Sequence, residues 1–143
     1  MGPGEIDTQV VRRHLADLRE SLDVLSKRSD VSLDELDADT ELLWVVERGL
    51  QLCAQNALDI ATHIAASRGR DVPDYASAID ELARLDVLDR DFVREFRNVA
   101  GFRNVLVHGY LEVDLGLLHT LLHERLGDFE SFAAHVESYL ESL

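Results

Sequence analysis

The run DTELLWVVERGLQLCAQNALDIATHIAAS, residues 39–67, decides how this chain folds. Leu43, Val46, Leu50, Cys53, Ala57, Ile60 and Ile64 recur at steps of three and four, the spacing of one face of a helix. Asp39 or Thr40 supplies the N-cap, where a short polar side chain accepts hydrogen bonds from backbone N–H groups that a helix start leaves unpaired. Leu42, Leu52, Leu58 and Ala61 add a second apolar flank. A helix apolar on two sides is expected to be buried on both, against its own bundle and a possible second subunit.

The same three-four stepping is found upstream and downstream. Val11, Leu15, Leu18, Leu22 and Leu25 predict a helix from Ile6 to about Lys27, capped by Asp7 or Thr8. The acidic stretch Ser29 to Asp39 reads as a connector holding one helical turn, and it lacks the glycine that a calcium-binding loop requires at its sixth position. After the Gly69 and Pro73 breakers, a short helix is expected from Tyr75 to Leu85. A fourth helix, capped by Asp89, carries Phe92, Val93, Phe96, Val99, Ala100 and Leu106 and ends near Gly109. Leu115, Leu118, Leu122, Phe129, Phe132, Val136 and Leu140 describe a C-terminal helix bent near Gly127. The expectation is an all-α, up-and-down bundle of about five helices forming a single domain over residues 1–143.

Composition agrees with that class. Of 143 residues 46% are hydrophobic, enough for one core, while aromatics are only 6% and Pro3 and Pro73 are the only prolines. The lone Cys53 cannot form an internal disulfide, and no apolar stretch approaches the roughly 18 residues of a membrane span. A reducing cytoplasm and no membrane contact are therefore expected. Trp44 and Cys53 are expected in the core or at an interface.

The net charge of −14 excludes a general nucleic-acid binder, which needs a surplus of Lys and Arg to neutralise phosphates. The charge is uneven, however. From Arg84 to Tyr110 five arginines face four acids, so this segment carries +1. It also carries the residues with chemical potential. Arg103 and His108 lie five apart, about 140° and about 7.5 Å on an ideal helix, with Asn104 beside the arginine and on the face of His108. Such a trio suits metal-free phosphodiester cleavage: an imidazole exchanges a proton with a ribose 2′-hydroxyl, and a guanidinium steadies phosphate charge. On spacing alone, a helix C-terminus decorated with cations explains the same residues.

The run Val99-Ala100-Gly101-Phe102-Arg103-Asn104-Val105-Leu106-Val107-His108-Gly109-Tyr110 resembles the signature of the HepT family within the HEPN group. That signature is an Arg-polar-x-x-x-His-x-Tyr segment after a Gly-Phe pair. Glu47 to Gln51, Ala57 to Ala61 and Tyr75 fit the surrounding pattern, and the likeness extends over roughly residues 5–140. The resemblance implies a homodimeric helical bundle that brings two Arg–His motifs into one cleft. It implies a metal-independent endoribonuclease without a cofactor, the toxin of a type VII toxin–antitoxin pair, with Arg103 and His108 catalytic and Asn104 supporting. It also implies an MntA-type nucleotidyltransferase antitoxin that silences the site by transferring AMP to Tyr110.

Arg90, Arg94 and Arg97 step by four and three and suggest either a phosphate-facing rail toward Arg103 or local pairing with acids. His119 and His123 have the spacing of two zinc ligands but no third ligand, and are expected on a solvated helix face. His14, His63 and His135 are expected to be structural. The acidity also leaves open a different class: a non-catalytic subunit that binds substrate for a small nucleotidyltransferase.

Overall fold

The computed structural model describes residues 5–108 and 114–143, with the His108 side chain left aside. Among these residues every regular element is helical: α1 (Thr8–Ser26), α2 (Leu33–Ala38), α3 (Thr40–Ser67), α4 (Tyr75–Arg84), α5 (Arg90–Phe96), α6 (Val99–His108), α7 (Leu115–Glu124) and α8 (Leu126–Glu141). The all-α bundle expected from the apolar periodicity is what forms. Its five expected helices appear as eight segments among the described residues, because two long ones are broken and one connector is ordered.

α3 is the axis of the bundle. It touches α1, α2, α4, α6, α7 and α8, and it buries twelve residues including Leu50, Cys53, Leu58, Ile60 and Ile64. Asp39 starts it by accepting from the Leu42 N–H at 3.1 Å. α1 begins on Asp7, whose carboxylate accepts from Gln9 and Val10. Its buried stripe, Val11, Leu15, Leu18, Leu22 and Leu25, lies against α3. The Leu25 side chain of α1 packs directly on Gly49, where a Cβ would stand 2.6 Å from Leu25 Cδ2.

Three local features depart from the simple reading. The acidic connector holds α2, a six-residue helix begun by a capping box in which Ser32 and Glu35 satisfy each other's backbone N–H groups. The expected fourth helix divides at Arg97–Asn98. There Asn98 N–H donates to the Glu95 carbonyl and Gly101 N–H to the Asn98 carbonyl, three-residue spans that tighten the chain and separate α5 from α6. The C-terminal helix also divides, at Arg125 (φ −117°, ψ −3°) and not at Gly127.

An aromatic cluster fastens the first of these breaks. Phe96 stacks on Phe132 at 5.1 Å and meets Phe129 edge-on at 5.7 Å, so α5 is pinned to α8 immediately before the chain turns. Cys53 is fully buried, whereas Trp44, expected in the core or at an interface, lies 65% exposed and is not part of the core. Trp44 misses the core because it sits on the outer side of α3, one turn from the exposed Arg48. No described helix is long and apolar enough to cross a membrane.

Candidate active site

α6 carries the motif and is lightly held. Among its described side chains only Val99 is buried, while Ala100, Phe102 and Leu106 are partly covered against the core. Arg103 is half-buried, and Asn104 and Val105 are exposed. The helix lies against α3 and α4, and those two supply the surroundings of the arginine.

Arg103 Nε–H donates to Gln55 Oε1 at 2.8 Å, reaching 48 residues back to α3. Its Nη1 donates to Asn104 Oδ1 at 3.0 Å. The guanidinium carbon stands 5.5 Å from the centre of the Tyr75 ring at the start of α4, a cation–π distance. Gln55 in turn donates through Nε2 to Asp59 Oδ1 at 2.8 Å, with the Tyr75 hydroxyl at 3.5 Å. Arg103 and Asn104 are thus together, as their adjacency in the sequence implied. His108 ends α6, its side chain lying outside the described residues, as does Tyr110.

This arrangement can bind an anion. A guanidinium has five N–H groups, and the bonds to Gln55 and Asn104 use two of them, leaving other donors for a phosphate oxygen pair. Tyr75 backs one face of the cation and limits its swing. Gln55 was not singled out by the sequence, and the places of Asp59 and Tyr75 around Arg103 were not read from it, because all three come from two other helices. The signal available was weak: Gln55 and Asp59 form a polar i, i+4 pair on a helix otherwise rich in apolar residues.

Of the three arginines upstream, two are paired with acids. Arg97 closes on Asp80 of α4 with two parallel contacts, Nε to Oδ1 at 3.0 Å and Nη2 to Oδ2 at 3.1 Å. That pairing with Asp80, helped by Asp74, raises the Arg97 guanidinium above its usual range. Arg94 pairs with Asp91 at 3.5 Å, both fully in solvent reach, and Arg90 is exposed. The break at Arg97–Asn98 also ends the four-three stepping before Arg103.

Two of the three isolated histidines are engaged locally. His14 Nδ1 meets Asn56 Oδ1 at 2.8 Å, His135 Nδ1 meets the Ser131 carbonyl at 2.7 Å, and His63 Nε2 is buried without a partner. The His119 and His123 rings lie 4.1 Å apart, tilted by 34°, and His123 Nε2 meets the Val31 carbonyl at 2.6 Å. Among the described residues no three His, Cys, Asp or Glu side chains gather as metal ligands would.

Comparison with known proteins bears on the whole chain. It is 28% identical over 140 residues to a protein of Aphanizomenon flos-aquae named tRNA nuclease HepT, covering 96% of this chain and 95% of that one. It is 29% identical over 84 residues to the mRNA nuclease HepT of Shewanella oneidensis, covering 58% and 63%. Its fold matches a tri-AMPylated Shewanella oneidensis HEPN toxin solved in complex with MNT antitoxin, with a TM-score of 0.77, 22% identity and coverage of 90% and 97%. Residues 18–136 match the family described as ribonuclease HepT-like, and the chain belongs to that family.

Proposed function

We propose that this chain is the toxin component of a type VII HepT/MntA pair: a single-domain, homodimeric, metal-independent endoribonuclease of the cytoplasm. The observation that carries the reading is the half-buried Arg103, held by Gln55 and backed by Tyr75 on the helix that ends at His108, in a chain of the HepT-like ribonuclease family. Relatives named as tRNA and mRNA nucleases support RNA as the substrate.

In this reading His108 takes the proton of a ribose 2′-hydroxyl. The 2′-oxygen bonds to phosphorus, the bond from phosphorus to the 5′-oxygen breaks, and the departing oxygen takes up a proton. The products are a 2′,3′-cyclic phosphate and a 5′-hydroxyl. Arg103 meets the charge that builds on the non-bridging oxygens, where a positioned cation is most effective. Asn104 supports Arg103 through Nη1. Arg90 and Arg94 serve as outer phosphate contacts, and Arg97 holds α4 against the helix break.

Trp44 and Val105 are 65% and 48% exposed, apolar surface that a second copy would cover. An MntA-like nucleotidyltransferase is the partner, supported by the AMPylated state of the Shewanella toxin. AMP on Tyr110 would add bulk and a phosphodiester charge competing with RNA for Arg103.

The test is incubation of the purified protein with tRNA and mRNA in EDTA. Wild type should cut one of them, His108→Ala should be slower by about 10²–10⁴-fold, and expression of Arg103→Ala should relieve growth arrest. Absence of cutting by wild type, or equal cutting by His108→Ala, defeats the catalytic reading and leaves the non-catalytic subunit. With the partner and ATP, mass spectrometry should find AMP on Tyr110, and AMP persisting on Tyr110→Phe would refute that assignment.

A further inference from the structure

The contacts of Gln55 follow one polarity. Arg103 has only donors, so the atom facing its Nε–H must be the amide oxygen. Asp59 as a carboxylate has only acceptors, so the atom facing it must be the amide nitrogen. Few other side chains meet both demands at this reach. A glutamate would satisfy Arg103 and repel Asp59, a lysine would do the reverse, and an asparagine is one methylene shorter. Gln55 is half-buried at the centre of α3, the most deeply packed helix, and so is itself well fixed.

We propose that Gln55 is the positioning residue of the Arg103 site, with Asp59 as its anchor. The inference rests on Arg103 being the phosphate-binding group of the ribonuclease reading. The amide holds Nε–H inward against α3, Asp59 stops the amide from rotating, and Tyr75 covers one face of the guanidinium. The swing of a long side chain is thereby restricted before RNA arrives, with Nη1 on Asn104. Restraint of this kind matters because a displacement of about 1 Å in a catalytic group costs up to about a hundredfold in rate.

Two measurements decide it. The first needs no RNA: in a proton–nitrogen spectrum of the labelled protein, the Arg103 Nε–H, assigned by its loss in Arg103→Lys, should exchange slowly in wild type. It should collapse into the fast-exchanging arginine envelope in Gln55→Ala. Persistence of the slow signal in Gln55→Ala overturns the proposal. The second is cleavage of unfractionated tRNA in EDTA. Gln55→Ala and Gln55→Glu should each lower kcat/KM by about tenfold or more.

The pair Gln55→Glu with Asp59→Asn keeps an oxygen facing Arg103 and reverses donor and acceptor between positions 55 and 59, so both of these bonds can form. It should return kcat/KM to within about threefold of wild type. A double variant as poor as Gln55→Glu alone overturns the proposal even if the single variants are partly unfolded. If wild type cuts no RNA, the ribonuclease reading fails by itself, and the Nε–H signal still decides whether Gln55 fixes Arg103.

Discussion

α3 and α6 lie against each other and are built to opposite rules. α3 runs 28 residues without interruption and buries twelve of them, while α6 runs ten and buries only Val99 among its described side chains. The difference separates rigidity from access. A site that must admit a polymer is best carried on an exposed helix, and the precision that such a helix lacks is supplied from the buried one, here through the bond from Gln55 to Arg103. Local stability should follow the same division, with α6 opening at lower free energy than α3.

The largest contrast should appear in thiol reactivity. Burial pushes the Cys53 thiol of α3 up to about 12, so at pH 8 its thiolate is scarce. Relative to a free thiol near 8.5, labelling by iodoacetamide should be slowed roughly a thousandfold or more in the folded protein and restored in urea. A Val105→Cys variant on α6, at a position 48% exposed, should label at the rate of a free thiol. Equal rates at the two positions would erase the distinction between the helices. The sign for stability follows: the folded state keeps a proton that the unfolded chain releases, so this contribution is full below about pH 8.5 and is lost as pH rises toward 12.

Next in size is Ile60→Ala on α3. Ile60 is fully buried, and its loss should cost about 2–5 kcal/mol in urea unfolding. A cost below 1 kcal/mol would mean that α3 is not the structural axis. The same glycine substitution then tests both helices with opposite signs. Gly49→Ala drives a methyl into the buried Leu25 and should destabilise by about 1–3 kcal/mol before any gain in helix propensity. Gly101→Ala on α6 meets nothing within 4 Å and should stabilise by about 0.5–1 kcal/mol, with cleavage retained. Changes of the same sign at both positions would break the comparison.

The legibility of the chain divides along the same line. α3 was readable almost to the residue, Asp39 cap and Ser67 end included, because its own packing imposes an unbroken period. α2 carried a readable sign, Ser32 followed by Glu35, but the surrounding acids resembled a connector. The break at Arg97–Asn98 was not readable: the apolar positions keep helical spacing through it, and no glycine or proline stands there. What holds the turn is tertiary, the Phe96 cluster against α8 and the Arg97–Asp80 pair against α4. For the same reason the motif named Arg103 and Asn104, while Gln55 went unnamed and Asp59 and Tyr75, though within the matching pattern, carried no sign of their place beside Arg103. A spacing pattern records neighbours along one helix and is blind to a bond across 48 residues.

The close approach of Gly49 to Leu25 also constrains how the bundle can move. Sliding α3 along α1 by one turn would bring Leu52 or Cys53 to the place of the missing side chain, where no space exists for either. Shear between these two helices is therefore barred, as a key bars a bolt. Any rearrangement that accompanies RNA entry or partner docking must therefore carry α1 and α3 as one body.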